Sequence, residues 1–90
     1  PGRLPDRVVA HRQLRRALAE AIGTLPPRYR SVIVQYYQQE RTMKQIGESL
    51  GVNESRVSQI HKAALERLAT AMRGEGYVDA GVFLEEIRRA

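Results

Sequence analysis

The chain has 90 residues, with 15 Lys or Arg against 10 Asp or Glu and a net charge of +5 at pH 7. That length holds one small domain rather than two, and 42% hydrophobic residues allow only a modest core. With no cysteine present, disulfide frameworks and thiolate metal sites are both excluded. The positive excess suits a polyanionic partner, although it also suits plain solubility.

Residues 1–10, PGRLPDRVVA, carry a glycine and two prolines and read as a linker or extended lead-in to a unit spanning 11–73. From about Val8 to Ile22 the pattern is helical, with Leu14, Leu18, Ala21 and Ile22 on one face and Arg12, Arg15, Arg16 and Glu20 elsewhere. Gly23 and Thr24 interrupt it. Leu25-Pro26-Pro27 is a stop and restart, because proline is tolerated in the first turn of a helix. A second helix from Pro27 to about Gln39 carries Tyr29, Val32, Ile33, Tyr36 and Tyr37 on a broad apolar side. Tyr36 and Tyr37 are expected to pack in the core with their hydroxyls at its rim, rather than stack on unpaired bases.

The most informative stretch follows, from Thr42 to Leu68. Thr42 can cap a third helix over about 42–50, with Gln45 completing a capping box. Met43, Ile46 and Leu50 share one side of it. Gly51 can end that helix in a left-handed conformation, Val52 can plug the corner, and Asn53 can cap a fourth helix over about 54–73. Glu54 beside that cap is favoured by the helix dipole. Two helices joined by so tight a turn have the grammar of a helix-turn-helix, whose second helix lies in a DNA major groove.

Rotating the fourth helix by about 100° per residue separates two faces. Val57, Ile60, Ala64 and Leu68 form a narrow apolar wedge, widened by Leu65 and Met72. Opposite lie Ser55, Gln59, Lys62 and Glu66, flanked by Arg56, Ala63 and Ser58. Those amide, hydroxyl, guanidinium and ammonium groups match what base edges and phosphates require, with Gln suited to adenine and Arg to guanine. The bland alternative is an ordinary solvated face. For Thr42 and Lys44, capping plus a solvated lysine stands beside contact with the DNA backbone. His61 falls at the edge of the wedge, as a satisfied boundary histidine or a phosphate contact.

Beyond the long helix, Gly74-Glu75-Gly76 is a terminator. Residues 74–90 form a tail in which Asp79 can cap a short fifth helix with an apolar strip of Val82, Phe83 and Ile87. The fold class is therefore all-α, a four-helix helix-turn-helix domain with that short C-terminal helix added. No apolar run approaches the ~20 residues of a membrane span, and the first residues show no secretory pattern. A soluble cytoplasmic location is the expectation. No nucleophile–base arrangement, apolar carboxylate pair, glycine-rich phosphate loop or metal cluster stands out, so no enzyme, metal or cofactor is expected. Adjacent Glu85 and Glu86 read as a solvated face.

The run LPPRYRSVIVQYY followed by TMKQIGESLGVNESRVSQIHKAALERL resembles region 4, the C-terminal domain of bacterial sigma factors. Its ESRVSQIH string is similar to the flagellar and sporulation branch, the sigma-28 class. The resemblance covers about Leu14 to Leu68 and implies recognition of the promoter −35 element by the last long helix. It also implies docking of the earlier helices on the RNA polymerase β-subunit flap. Carried over by position, Ser55, Arg56, Ser58, Gln59 and Lys62 are the expected base or phosphate contacts, and Thr42 and Lys44 the backbone contacts. Housekeeping members begin this helix with a more charged R-E-R-I-R-Q string, so Glu54, Ser55 and Ser58 imply a different −35 preference. Members of the branch are commonly held inactive by an anti-sigma protein that wraps region 4, some with a bound nucleotide.

Asn53 departs from the commoner Thr or Ser at the cap, and Gln38-Gln39-Glu40-Arg41 departs from the usual acidic-aromatic loop. A full sigma factor also needs a −10-recognising domain, so the chain reads as a fragment. Two alternatives stand beside this reading. One is a response-regulator-type output domain, against which S-R-V-S-Q-I-H argues. The other is a protein-interaction module using the same fold, in which the apolar tail would matter more than Gln59.

Overall fold

The computed structural model describes residues 6–77. Four α-helices follow one another: α1 Asp6–Thr24, α2 Pro27–Ile33, α3 Met43–Leu50 and α4 Glu54–Gly74, with a π-helical turn, Val34–Gln38, continuing α2. The domain is all-α, as expected. The tail helix proposed around Asp79, Val82, Phe83 and Ile87 lies outside the described residues, as do Glu85 and Glu86.

The lead-in differs from expectation, because α1 is already helical from Asp6. The stretch from Asp6 to Ala10 contains no proline or glycine to oppose the helix. Gly23 and Thr24 do not break α1 either; they form its last turn, where Thr24 Oγ1 donates to the Ala21 carbonyl at 2.8 Å. Leu14, Leu18 and Ala21 are buried as the periodicity demands, joined by Leu25 from the turn, and Ile22 is half-buried.

α2 starts with Pro27 at its first position, where the missing N–H costs nothing. Its continuation is not plain α-helix. At the π turn the Gln39 N–H reaches the Val34 carbonyl at 3.1 Å, a wider ring that inserts one extra residue. The phase shift buries Gln35 and Tyr37 and leaves Tyr36 half-exposed. Glu40 then turns the chain with φ of 54°, a left-handed conformation uncommon for a residue with a Cβ.

Local capping does what the residue types promise. Thr42 Oγ1 accepts from the Gln45 N–H at 3.1 Å and Gln45 Oε1 accepts from the Thr42 N–H at 2.9 Å, a complete capping box on α3. Gly51 closes α3 with φ of 72°, and the Val52 N–H returns to the Gly47 carbonyl at 2.9 Å. Asn53 Oδ1 accepts from the Arg56 N–H at 2.8 Å to cap α4.

The core falls into two adjoining clusters, and α4 contributes to both. Toward its N-terminal half, Val57 and Ile60 meet Val32 of α2 and Ile46 of α3. Toward its C-terminal half, Ala64, Leu68 and Met72 meet Leu14, Leu18 and Leu25 with Ile33 and Tyr37. Tyr29 and Tyr36 pack against both clusters and join them. Arg67 lies over the Tyr29 ring at 4.7 Å from its centroid, a cation–π contact that covers the aromatic edge of this seam. Among the described residues no helix is long and apolar enough to cross a membrane, and no group of His, Cys, Asp or Glu gathers as a metal site.

Candidate nucleic-acid interface

The candidate surface is built on α4 and on the first turn of α3. On α4, Val57, Ile60 and Ala64 are buried while Ser55, Arg56, Ser58, Gln59 and Lys62 are all exposed. A 3.6-residue period allows that separation only if the apolar stripe stays in the core. Ser55, Ser58, Gln59 and Lys62 therefore share the outer side of about two turns of α4, with Arg56 on its flank. Arg56 and Gln59 also touch, with Arg56 Nη1 donating to Gln59 Oε1 at 3.3 Å.

Thr42 and Lys44 are exposed at the start of α3. The capping box uses the N–H groups of Thr42 and Gln45. Those of Met43 and Lys44 belong to a first turn that offers no intrahelical acceptor, so they face outward. A helix start in that state, with a lysine beside it, attracts an anion. The capping role and the backbone-contact role of Thr42 are thus compatible, since its hydroxyl oxygen is used inward and the turn it creates points outward.

What fixes α3 against α4 is Gly47, which the pattern of the sequence left unremarked. A Cβ at this position would sit 2.6 Å from the Val52 carbonyl oxygen, 3.4 Å from Val57 Cγ2 and 3.5 Å from the Asn53 carbonyl carbon. Only glycine lets α3 and the turn approach this closely.

A second feature missed by pattern alone is the polar bridge at Gln35. Its Nε2 donates to Ser31 Oγ at 2.8 Å, and its Oε1 accepts from Arg41 Nη1 and Ser49 Oγ, each at 3.0 Å. The Arg41 N–H also reaches the Gln35 carbonyl at 2.9 Å. One buried amide thus ties α2 to the loop before Thr42 and to the end of α3. A buried amide with all of these partners adds directionality to a contact that apolar packing leaves free to slide. No sequence signal marked Gln35, because its burial depends on the π turn.

His61 is a boundary residue, as its helical phase suggests. Its Nε2 lies 2.8 Å from the Tyr37 hydroxyl, and its ring stacks on Tyr37 and tilts against Tyr36 at centroid distances of 5.5 and 5.1 Å. Both tyrosines pack in the core, and the Tyr37 hydroxyl finds its partner at the rim. Burial disfavours the imidazolium form and lowers the His61 pKa below the ordinary imidazole value. The folded state thus binds the proton less readily than the unfolded chain. Stability from this group is complete above ~6.5 and declines as pH falls toward the lowered value. Denaturant titrations of the wild type are expected to show a loss of stability as pH falls below ~6.5 that His61→Gln lacks. Parallel curves for the two proteins would remove His61 as the cause.

The fold and the two-faced α4 define a helix-turn-helix domain. Residues 21–70 match the model of the family described as sigma-70, region 4, more than half of the chain, and the chain belongs to that family. It is 51% identical over 59 residues to RNA polymerase sigma factor FliA of Escherichia coli strain K12, covering 66% of this chain and 25% of that protein. Against the FliA protein of Pseudomonas aeruginosa it is 56% identical over 52 residues, covering 58% of this chain and 21% of the relative. RNA polymerase sigma-D factor of Bacillus subtilis strain 168 is 36% identical over 64 residues, covering 71% of this chain and 25% of that protein. The chain thus spans about a quarter of the length of these curated relatives. No solved structure matches it.

Proposed function

We propose that the chain is the promoter-reading part of an RNA polymerase sigma factor of the flagellar class, acting in transcription initiation and not as an enzyme. In this reading α4 enters the major groove of the −35 element. Ser55, Arg56, Ser58, Gln59 and Lys62 meet base edges and phosphates, while Thr42 and Lys44 hold the backbone. The observation that supports it most is the exposure of all five α4 side chains, with Gln59, Ser55 and Lys62 opposite buried Val57, Ile60 and Ala64 and Arg56 and Ser58 on the flanks. Residues 11–73 are the working unit and 74–90 a tail. RNA polymerase is the larger partner, with the earlier helices docked on its β-subunit flap. The location is cytoplasmic, with the polymerase. Resemblance to the sigma-28 branch supports an anti-sigma protein, in some members with a bound nucleotide, as the regulator that covers this face.

Two substitutions separate base reading from backbone holding. Gln59→Ala is expected to cost about 1–3 kcal/mol on the cognate duplex and to relax discrimination at one base step. Lys44→Ala is expected to weaken all duplexes alike and lower the slope of log K against log salt by about one unit. Binding isotherms at several salt concentrations measure both. Unchanged discrimination in the first variant, or an unchanged slope in the second, removes that residue from the interface. Because polymerase supplies effective concentration, the assay is best run with polymerase core present.

A further inference from the structure

The two ends of α3 are held by different means. At its far end Gly47 admits the turn, where the Val52 N–H donates to the Gly47 carbonyl at 2.9 Å. Its start is the end that presents Thr42 and Lys44, and the apolar packing there comes from Met43, itself only half-buried. The approach to that start is irregular. Gln38 closes the π turn and Glu40 takes φ of 54°, a conformation that a residue with a Cβ keeps only where its surroundings hold it.

One buried residue supplies the hold. The Gln35 carbonyl accepts from the Arg41 N–H at 2.9 Å, and Gln35 Oε1 accepts from Arg41 Nη1 at 3.0 Å. Arg41 is exposed, yet its guanidinium turns back to this amide. The second lone pair of the same oxygen faces Ser49 Oγ at 3.0 Å. The Ser49 hydroxyl divides its single proton between Gln35 and the Ile46 carbonyl at 2.9 Å, so the charge-assisted bond from Arg41 is the stronger of the two. Gln35 Nε2 donates to Ser31 Oγ of α2 at 2.8 Å, which sets the orientation of the amide. These directional bonds fix the residue just before Thr42 against α2, which apolar packing of Ile46 does not do by itself.

We propose that Gln35 is a positioning residue for the grip on the DNA backbone. Through Arg41 it fixes the start of α3, from which Thr42 and Lys44 meet phosphate. The proposal rests on the promoter-reading function above and adds to it a buried residue of α2's continuation that touches no DNA.

The test uses the full 90-residue chain with polymerase core and −35 duplexes. Lys44→Ala, Gln35→Leu, the two combined and Gln35→Glu are compared with the wild type. Leucine fills much of the same volume without an acceptor. Gln35→Leu is expected to stay helical by far-ultraviolet circular dichroism and to keep wild-type base discrimination. Its slope of log K against log salt is expected to fall by about one unit, as in Lys44→Ala. The double variant is expected to fall no further than either single one, because the same phosphate contact is lost once. Gln35→Glu keeps an acceptor for Arg41 and is expected to retain the wild-type slope. A residue that only stabilised the fold would lower the binding-competent fraction and leave the slope alone. An unchanged slope in Gln35→Leu, a fall in the double variant equal to the sum of the two, or a loss of helix in Gln35→Leu therefore overturns the proposal while the promoter-reading function stands. An unchanged slope in Lys44→Ala removes the backbone grip itself, and the proposal falls with it.

Discussion

Gly47→Ala is expected to destabilise the domain by about 2–4 kcal/mol, although alanine is the better helix former. In an exposed helix the same change gains up to about 1 kcal/mol. Here the new Cβ would meet the Val52 carbonyl oxygen at 2.6 Å. That oxygen belongs to the turn backbone, so relief requires the whole corner of Gly51, Val52 and Asn53 to move. Moving it disturbs the bond from the Val52 N–H to the Gly47 carbonyl and pushes α4 away from α3. A domain of this size holds about 5–10 kcal/mol in total, so the loss is a large fraction. Gly23 provides the control, since a Cβ there meets nothing within 4 Å. Gly23→Ala is expected to be neutral or to stabilise by up to about 1 kcal/mol. Denaturant titration of the pair measures the difference, and equal midpoints would show that α3 and the turn are not in close contact.

Ile60→Ala is the second large effect, expected at about 2–5 kcal/mol. Ile60 is 1% exposed and packs with Val32, Ile46 and Val57, so truncation leaves a void where α2, α3 and α4 meet. The adjacent residue supplies the contrast. Gln59 is exposed, so Gln59→Ala is expected to change stability by no more than about 0.5 kcal/mol. The two neighbours thus exchange roles: one holds the helix down, the other faces the groove. Thermal or denaturant unfolding of both variants distinguishes them. If Gln59→Ala destabilised as much as Ile60→Ala, the assignment of faces would be inverted.

Much of this fold is legible in the sequence, for a specific reason. Thr42 with Gln45, Gly51 and Asn53 act within one helical turn of themselves, so residue type alone sets the hydrogen bonds they make. The wedge of Val57, Ile60, Ala64 and Leu68 follows from helical period over a segment with no interruption. The bounds of α1 are less legible, because its first turns, from Asp6, lack an apolar face whose period would mark where the helix begins.

Features that depend on an irregular turn or on a second element escape that reading. The π turn at Val34–Gln38 changes the helical phase without any glycine or proline to announce it. Gln35 is thereby carried inward, where a regular α-helix would have given its place to Tyr36. Gly47 looks like a weak helix residue until the Val52 carbonyl is placed beside it. The Tyr37–His61 bond joins residues 24 apart in sequence, a separation that local patterns do not reach.

The absence of cysteine from the chain allows a direct test of where α4 lies, because an introduced cysteine is then the chain's only thiol. An iron chelate tethered at Ser55→Cys, with polymerase core and promoter DNA, should cut both strands around the −35 element, whereas the same probe at Glu20→Cys on α1 should cut there weakly or not at all. Strong cleavage from Glu20→Cys with none from Ser55→Cys would place the DNA on the opposite side of the domain and contradict the proposed recognition face.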